Sequence, residues 1–223
     1  AQGEVIAPDP SRVAYASPLQ EGWYKTTLAH NTLVVDRKNQ KPAEARSVRF
    51  FATDRLSAVQ AECPDAYPGV EMIRTTAVTP GYLLDLFIAK SDSPHVYDLP
   101  FHFDGELKNA PETTPCAPSG GQNGYQYLEE ISSASSSSSW SAEFQQSNKN
   151  RFQFSLVGNP PSTVYLASGL TGNPPRRIPL VLASQTGTTA QFLSLIEPFE
   201  NAPSIEKIET EEFERAGRQW IRA

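Results

Sequence analysis

An all-β fold, a large antiparallel β-sandwich of two stacked sheets, is what this 223-residue chain predicts, on three observations. Short apolar and β-branched runs dominate it. Gly, Pro, Asn, Asp and Ser punctuate those runs, with 19 prolines and 13 glycines in all. Several runs alternate with period two, as in Val48-Arg49-Phe50 and Gln153-Phe154-Ser155-Leu156, which gives a sheet one wet and one dry face. An all-β chain of this size commonly forms one unit, so 1–223 read as a single domain.

Taken in order, EVIA (4–7), NTLVVD (31–36), SVRFFAT (47–53), LSAVQAE (56–62) and VEMIRTTAV (70–78) are the first strands. GYLLDLFIAKS (81–91) and HVYDLPFHF (95–103) follow as two strands split at Pro94. YQYLEEIS (125–132) and SWSAEFQ (139–145) flank the serine-rich 132–140, which reads as a mobile hairpin between them. RFQFSLVG (151–158), STVYLAS (162–168), IPLVLAS (178–184), AQFLSLIEPF (190–199) and IEKIET (205–210) complete the set. The segment 108–124, rich in Pro, Thr and Gly, reads as a long surface loop. Only 206–220 competes as a helix, through its Glu/Arg spacing.

The net charge of −6 disfavours nucleic-acid partners, because an acidic surface repels phosphate. No apolar run reaches the roughly 18 residues of a membrane-spanning helix. Arg176-Arg177 and the pair Lys149 and Arg151 are the local basic clusters, read as solvated loop charge. Cys63 and Cys116 lack zinc-ribbon spacing, and a single disulfide or two buried thiols both suit them. Glu129 and Glu130 fall on opposite faces of a strand, which makes them a poor glycosidase pair. The first residues carry no basic and apolar leader pattern.

Chemistry concentrates around His30, one of three histidines. It stands in TTLAHNTLVVD, 21 residues after Asp9 in APDPSR. Imidazole nitrogen and carboxylate oxygen are both good zinc donors, and strand ends present them rigidly. A tetrahedral ion still needs further ligands. Tyr24 and Tyr15 are candidates to contact a sugar near His30, against the alternative of packed aromatics with hydrogen-bonded hydroxyls. Asn31 is suited to capping the strand start, Gln40 to bracing the loop, and Asp98 and His102 to structural hydrogen bonds.

The stretch GWYKTTLAHNTLVVDRKNQ resembles the heparinase II/III-like family of polysaccharide lyases, which includes oligo-alginate lyases. DPSRVAYASPLQ, MIRTTAVTPGYLLDLFIAKSDSPHVYDLPFH and FLSLIEPFENAPSIEKIE extend the resemblance from Asp9 to about Glu209. The resemblance implies a C-terminal β-sandwich that follows an α/α toroid. It implies a zinc ion whose ligands include Asp9 and His30, with a further histidine from an upstream His-x-His absent from this sequence. Ser11 stands where the family usually has glycine. The implied reaction is β-elimination on an acidic, uronic-acid-containing polysaccharide such as alginate. The toroid supplies the catalytic groups, so this chain is expected to be inactive alone. Its expected partners are that polysaccharide and a toroid domain or chain. A homo-oligomer through an exposed sheet edge and a periplasmic or secreted location are expected as well. The competing reading is a non-catalytic carbohydrate-binding or structural sandwich.

Overall fold

The computed structural model describes residues 3–117, 121–137, 139–157, 160–205 and 208, and the backbone of 211–215 and 218–222. In chain order the strands are β1 (Val34–Val35), β2 (Arg46–Ala52), β3 (Ser57–Tyr67), β4 (Val70–Val78), β5 (Leu83–His102), β6 (Glu106–Asn109), β7 (Thr114–Pro115), β8 (Glu129–Ser136), β9 (Trp140–Gln145), β10 (Arg151–Leu156), β11 (Ser162–Thr171), β12 (Arg176–Phe199), β13 (Glu211–Arg215) and β14 (Arg218–Arg222). The first twelve form one antiparallel hydrogen-bonded network, and β13 pairs with β14 apart from it.

Two long strands generate the sandwich. The first half of β5 pairs with β4 on one side and with Thr189–Ile196 of β12 on the other. The second half pairs with β1 and with the stretch of β12 from Leu180 to Gly187. The register shifts between Gly187 and Thr189, opposite the unpaired turn of β5 that holds Pro94. One layer therefore runs β2-β3-β4-β5-β12-β10-β9-β6. The other is built from β1, β5, β12, β11, β8 and β7. The pairs of runs predicted at 81–91 and 95–103, and at 178–184 and 190–199, are each one strand crossing both layers. A proline at a bulge costs no ladder hydrogen bond, so Pro94 bends the strand without ending it.

Between the layers lies an aromatic core. Phe103 packs against Phe144, Phe152 and Phe154 with centroids 4.8 to 5.4 Å apart, and Phe101 lies 4.7 Å from Phe154. Fully burying each such ring contributes about 1.5–3 kcal/mol. The second layer is covered on its other face too. Alternate residues Leu180 and Leu182 turn away from the core and pack under Trp23, Tyr24, Leu28 and Tyr125. A strand buried on both sides reads as a continuous apolar run, which explains VYDLPFHF. Trp23 donates to the Leu170 carbonyl at 2.7 Å. It fits there because residue 169 is glycine: a Cβ would meet the indole at 2.9 Å.

Four local expectations are corrected. EVIA is irregular, and NTLVVD is strand only at Val34–Val35, because residues 20–24 and 27–29 form helical turns that lead into it. YQYLEEIS is a 3-10 turn followed by the start of β8. The serine-rich run is no hairpin: Ser132–Ser136 belong to β8, which pairs with β11, while β9 pairs with β10 and β6. Small polar residues accept a strand when neighbours supply the ladder, as Tyr165 and Thr163 do. The competing helix reading of 206–220 loses: that backbone is a β-hairpin wherever it is described. Of IEKIET, positions 206, 207, 209 and 210 lie outside the described residues.

Candidate functional site

His30 leaves the 3-10 turn Thr27–Ala29 in extended backbone. Two polar contacts pin that turn. The Asn39 side chain accepts from the Thr27 amide at 2.9 Å, and the Gln40 amide donates to Thr27 Oγ1 at 2.7 Å. Gln40 Nε2 donates to the Leu33 carbonyl at 3.0 Å, so Gln40 does brace this loop.

Asn31 ties the turn to two other segments. Its Oδ1 accepts from the His102 amide at 2.7 Å, and its Nδ2 lies 3.4 Å from the carbonyls of Ala7 and Pro8. The N-terminal segment is thereby drawn alongside, and Asp9 Oδ1 comes within 2.5 Å of His30 Nδ1. Asp9 is 70% exposed and His30 36%, so the pair sits on a rim open to solvent. Ser11 holds φ 72, the left-handed region that glycine enters freely. Among the described residues no third His, Cys, Asp or Glu joins the pair.

Below the rim the polar groups are buried and paired, except His102 Nε2, which has no hydrogen-bond partner among the described residues. Arg74 Nη1 donates to the Asn31 carbonyl at 2.8 Å and grips Asp85 with Nε and Nη2 at 2.7 and 3.0 Å. Asp85 is 1% exposed and also accepts from Thr76. This support was not anticipated from sequence. Its signal was a lone Arg and a lone Asp on adjacent strands, at inward positions one row apart. His102 is wholly buried edge-on to Trp23, and burial, with the His30 charge added, lowers its pKa to about 3. Asp98 accepts from Tyr125 Oη at 2.5 Å and Ser184 Oγ at 2.6 Å. Burial raises the Asp98 pKa against those hydrogen bonds and the nearby Arg37. Asp98 thus makes structural hydrogen bonds, and the His102 ring does so through Nδ1 alone, 3.3 Å from Asn31 Oδ1.

The two tyrosines differ. Tyr24 is buried, donates to the Gly172 carbonyl at 2.8 Å, and has a pKa raised by that burial. Tyr15 is 81% exposed. Of the residues singled out by sequence, the structure brings together Asp9 and His30, turns Tyr24 into the fold and leaves Tyr15 on the surface.

No family model matches the chain. It is 39% identical over 127 residues to an alginate lyase of Stenotrophomonas maltophilia (strain K279a), covering 48% of this chain and 17% of that protein. It is 24% identical over 208 residues to an exo-oligoalginate lyase of Saccharophagus degradans, covering 79% of this chain and 27% of that protein. The chain thus spans under a third of the length of these relatives. Among solved structures it superposes on the heparan sulfate lyase HepC of Pedobacter heparinus with a TM-score of 0.70 at 15% identity. A heparinase III gives 0.73 at 14%. Each match covers 99% of this chain and 34% of the other. The chain is thus similar in sequence to alginate lyases and shares the fold of the matching third of the heparinases over 99% of its length.

Proposed function

We propose that this chain is the C-terminal β-sandwich of a secreted or periplasmic polysaccharide lyase that acts by β-elimination on a uronic-acid polymer. The carrying observation is the convergence of Asp9 and His30, 21 residues apart, at one exposed rim. Their atoms are of the right type for zinc, and they would hold it together with a donor outside this chain. When bound, the ion would lock the N-terminal segment onto the His30 turn.

The chain's own residues position and shape. Asn31, Arg74 and Asp85 form a rigid base under the rim. Tyr15 is available to a sugar, while the Tyr24 hydroxyl is committed to Gly172 and holds the turn. β-Elimination needs a base at the C5 proton, neutralisation of the carboxylate and an acid at the 4-oxygen. A toroid preceding this sandwich supplies those groups in this reading.

The test is the absorbance of unsaturated uronate on incubation with alginate or heparin. Protein that includes the toroid is expected to turn over and this chain alone is not. Turnover by the chain alone refutes the division of labour, and inactivity of both refutes the lyase assignment.

A further inference from the structure

A groove of about 690 Å³ opens on the side of the sandwich between the β5–β6 turn, the β9–β10 turn and the start of β12. This is within the usual size of small-ligand sites. Its wall at Gly105 is bare backbone: a Cβ there would lie 3.1 Å from the Gln145 carbonyl oxygen.

The charge in the groove is arranged unevenly. Arg177 is spent on the fold, donating to the Tyr127 and Ser168 carbonyls and pairing with Glu129. Arg176 is half-exposed and gives Nη2 to Asp104 at 2.9 Å, with its other nitrogens engaged by no group among the described residues. Lys149 is exposed and makes no ion pair among the described residues. Glu106 at the rim is paired with Lys108. Gln146, 8% exposed, has a buried Oε1 without a hydrogen-bond partner. A lysine unpaired among the described residues, beside an arginine that has given only one nitrogen to Asp104, matches a ligand that carries carboxylates.

The groove also lies beside the rim. Gln146 Nε2 donates to the Val5 carbonyl at 2.9 Å and the Asp104 amide to the Ile6 carbonyl at 2.8 Å. Asp9 is three residues past Ile6, at most about 11 Å of chain. We infer that this groove binds an acidic oligosaccharide, its carboxylates on Lys149 and Arg176. The choice of uronate as ligand rests on the lyase reading, and the existence of the site does not.

The experiment titrates isotope-labelled chain with a saturated alginate tetrasaccharide and follows backbone amides by NMR, with cellotetraose as the neutral control. Shifts at Gly105, Ser147 and Lys149 are expected, and they should weaken as salt is added. Lys149→Asn, which suits φ 71, should weaken binding about threefold to fivefold, and Lys149→Asn with Arg176→Gln more. An Asp9→Asn/His30→Gln variant should keep the groove shifts. Absence of tetrasaccharide binding, shifts only around residues 9 and 30, or unchanged affinity in both charge variants overturns the groove. Equal binding of cellotetraose overturns its acidic ligand. Groove binding in a protein whose toroid-containing form fails on uronates upholds the site while sinking the lyase reading.

Discussion

His30 Nδ1 and Asp9 Oδ1 stand 2.5 Å apart because Asn31 reaches from the same turn to the carbonyls of Ala7 and Pro8. The residue after His30 thus positions the segment carrying its partner. On the zinc proposal, protein that includes the toroid should retain the metal through purification. His30→Gln and Asp9→Asn should each lower its content, read by elemental analysis, and unchanged content in both would remove these residues from the site.

Arg74→Met should leave Asp85 as a buried, unpaired carboxylate and cost about 3–5 kcal/mol. Replacing both, as Arg74→Met with Asp85→Leu, should recover much of that loss. Denaturant melts of the two singles and the double would show it.

His102 gives the fold an acid limb. Its folded pKa, lowered by burial to about 3, lies below the ordinary 6.5, so the folded state holds it neutral while the unfolded chain protonates. Its contribution is complete above pH 6.5 and is lost as pH falls toward 3, at about 1.4 kcal/mol per pH unit. His102→Gln should flatten stability across that window, and an unchanged slope would contradict it.

Asp36 acts in the same direction at lower pH. Burial alone would raise its carboxyl, but His95, 2.8 Å away, the Val96 amide and nearby positive charge outweigh burial and lower the pKa. Its stabilisation is present above the ordinary carboxylate range and lost as pH falls through the lowered value. Asp36→Asn should remove that loss, visible as a shallower decline in melting temperature below about pH 4.

Ser11→Gly should stabilise by about 0.5–1 kcal/mol, since φ 72 strains a side chain there and glycine relieves it. A lower melting temperature would mean that the serine hydroxyl compensates.

Tyr24→Phe leaves the Gly172 carbonyl without its donor and should cost about 1 kcal/mol of stability. Tyr15→Phe should leave stability unchanged and, on the proposed function, weaken oligosaccharide turnover in toroid-containing protein.

The sandwich was legible in sequence because alternation and turn residues are local properties, and VEMIRTTAV is β4 to the residue. The lyase likeness was legible because His30, Asn31, Asp36 and Gln40 lie in one continuous stretch. That continuity did not show what each residue does: Asn31 became a bridge and Tyr24 a buried post only once the chain had closed on itself. The serine-rich strand was illegible, since its own residues prefer neither state and β11 supplies the ladder. So were Arg74 with Asp85 and the groove of Lys149 and Arg176, whose members come from separate strands and turns. By itself the sequence determined most of the strands, the class and the likeness to lyases, which depend on neighbours along the chain. Tertiary structure alone decided which charges are buried in pairs and which face solvent, because desolvation and pairing depend on distance in space.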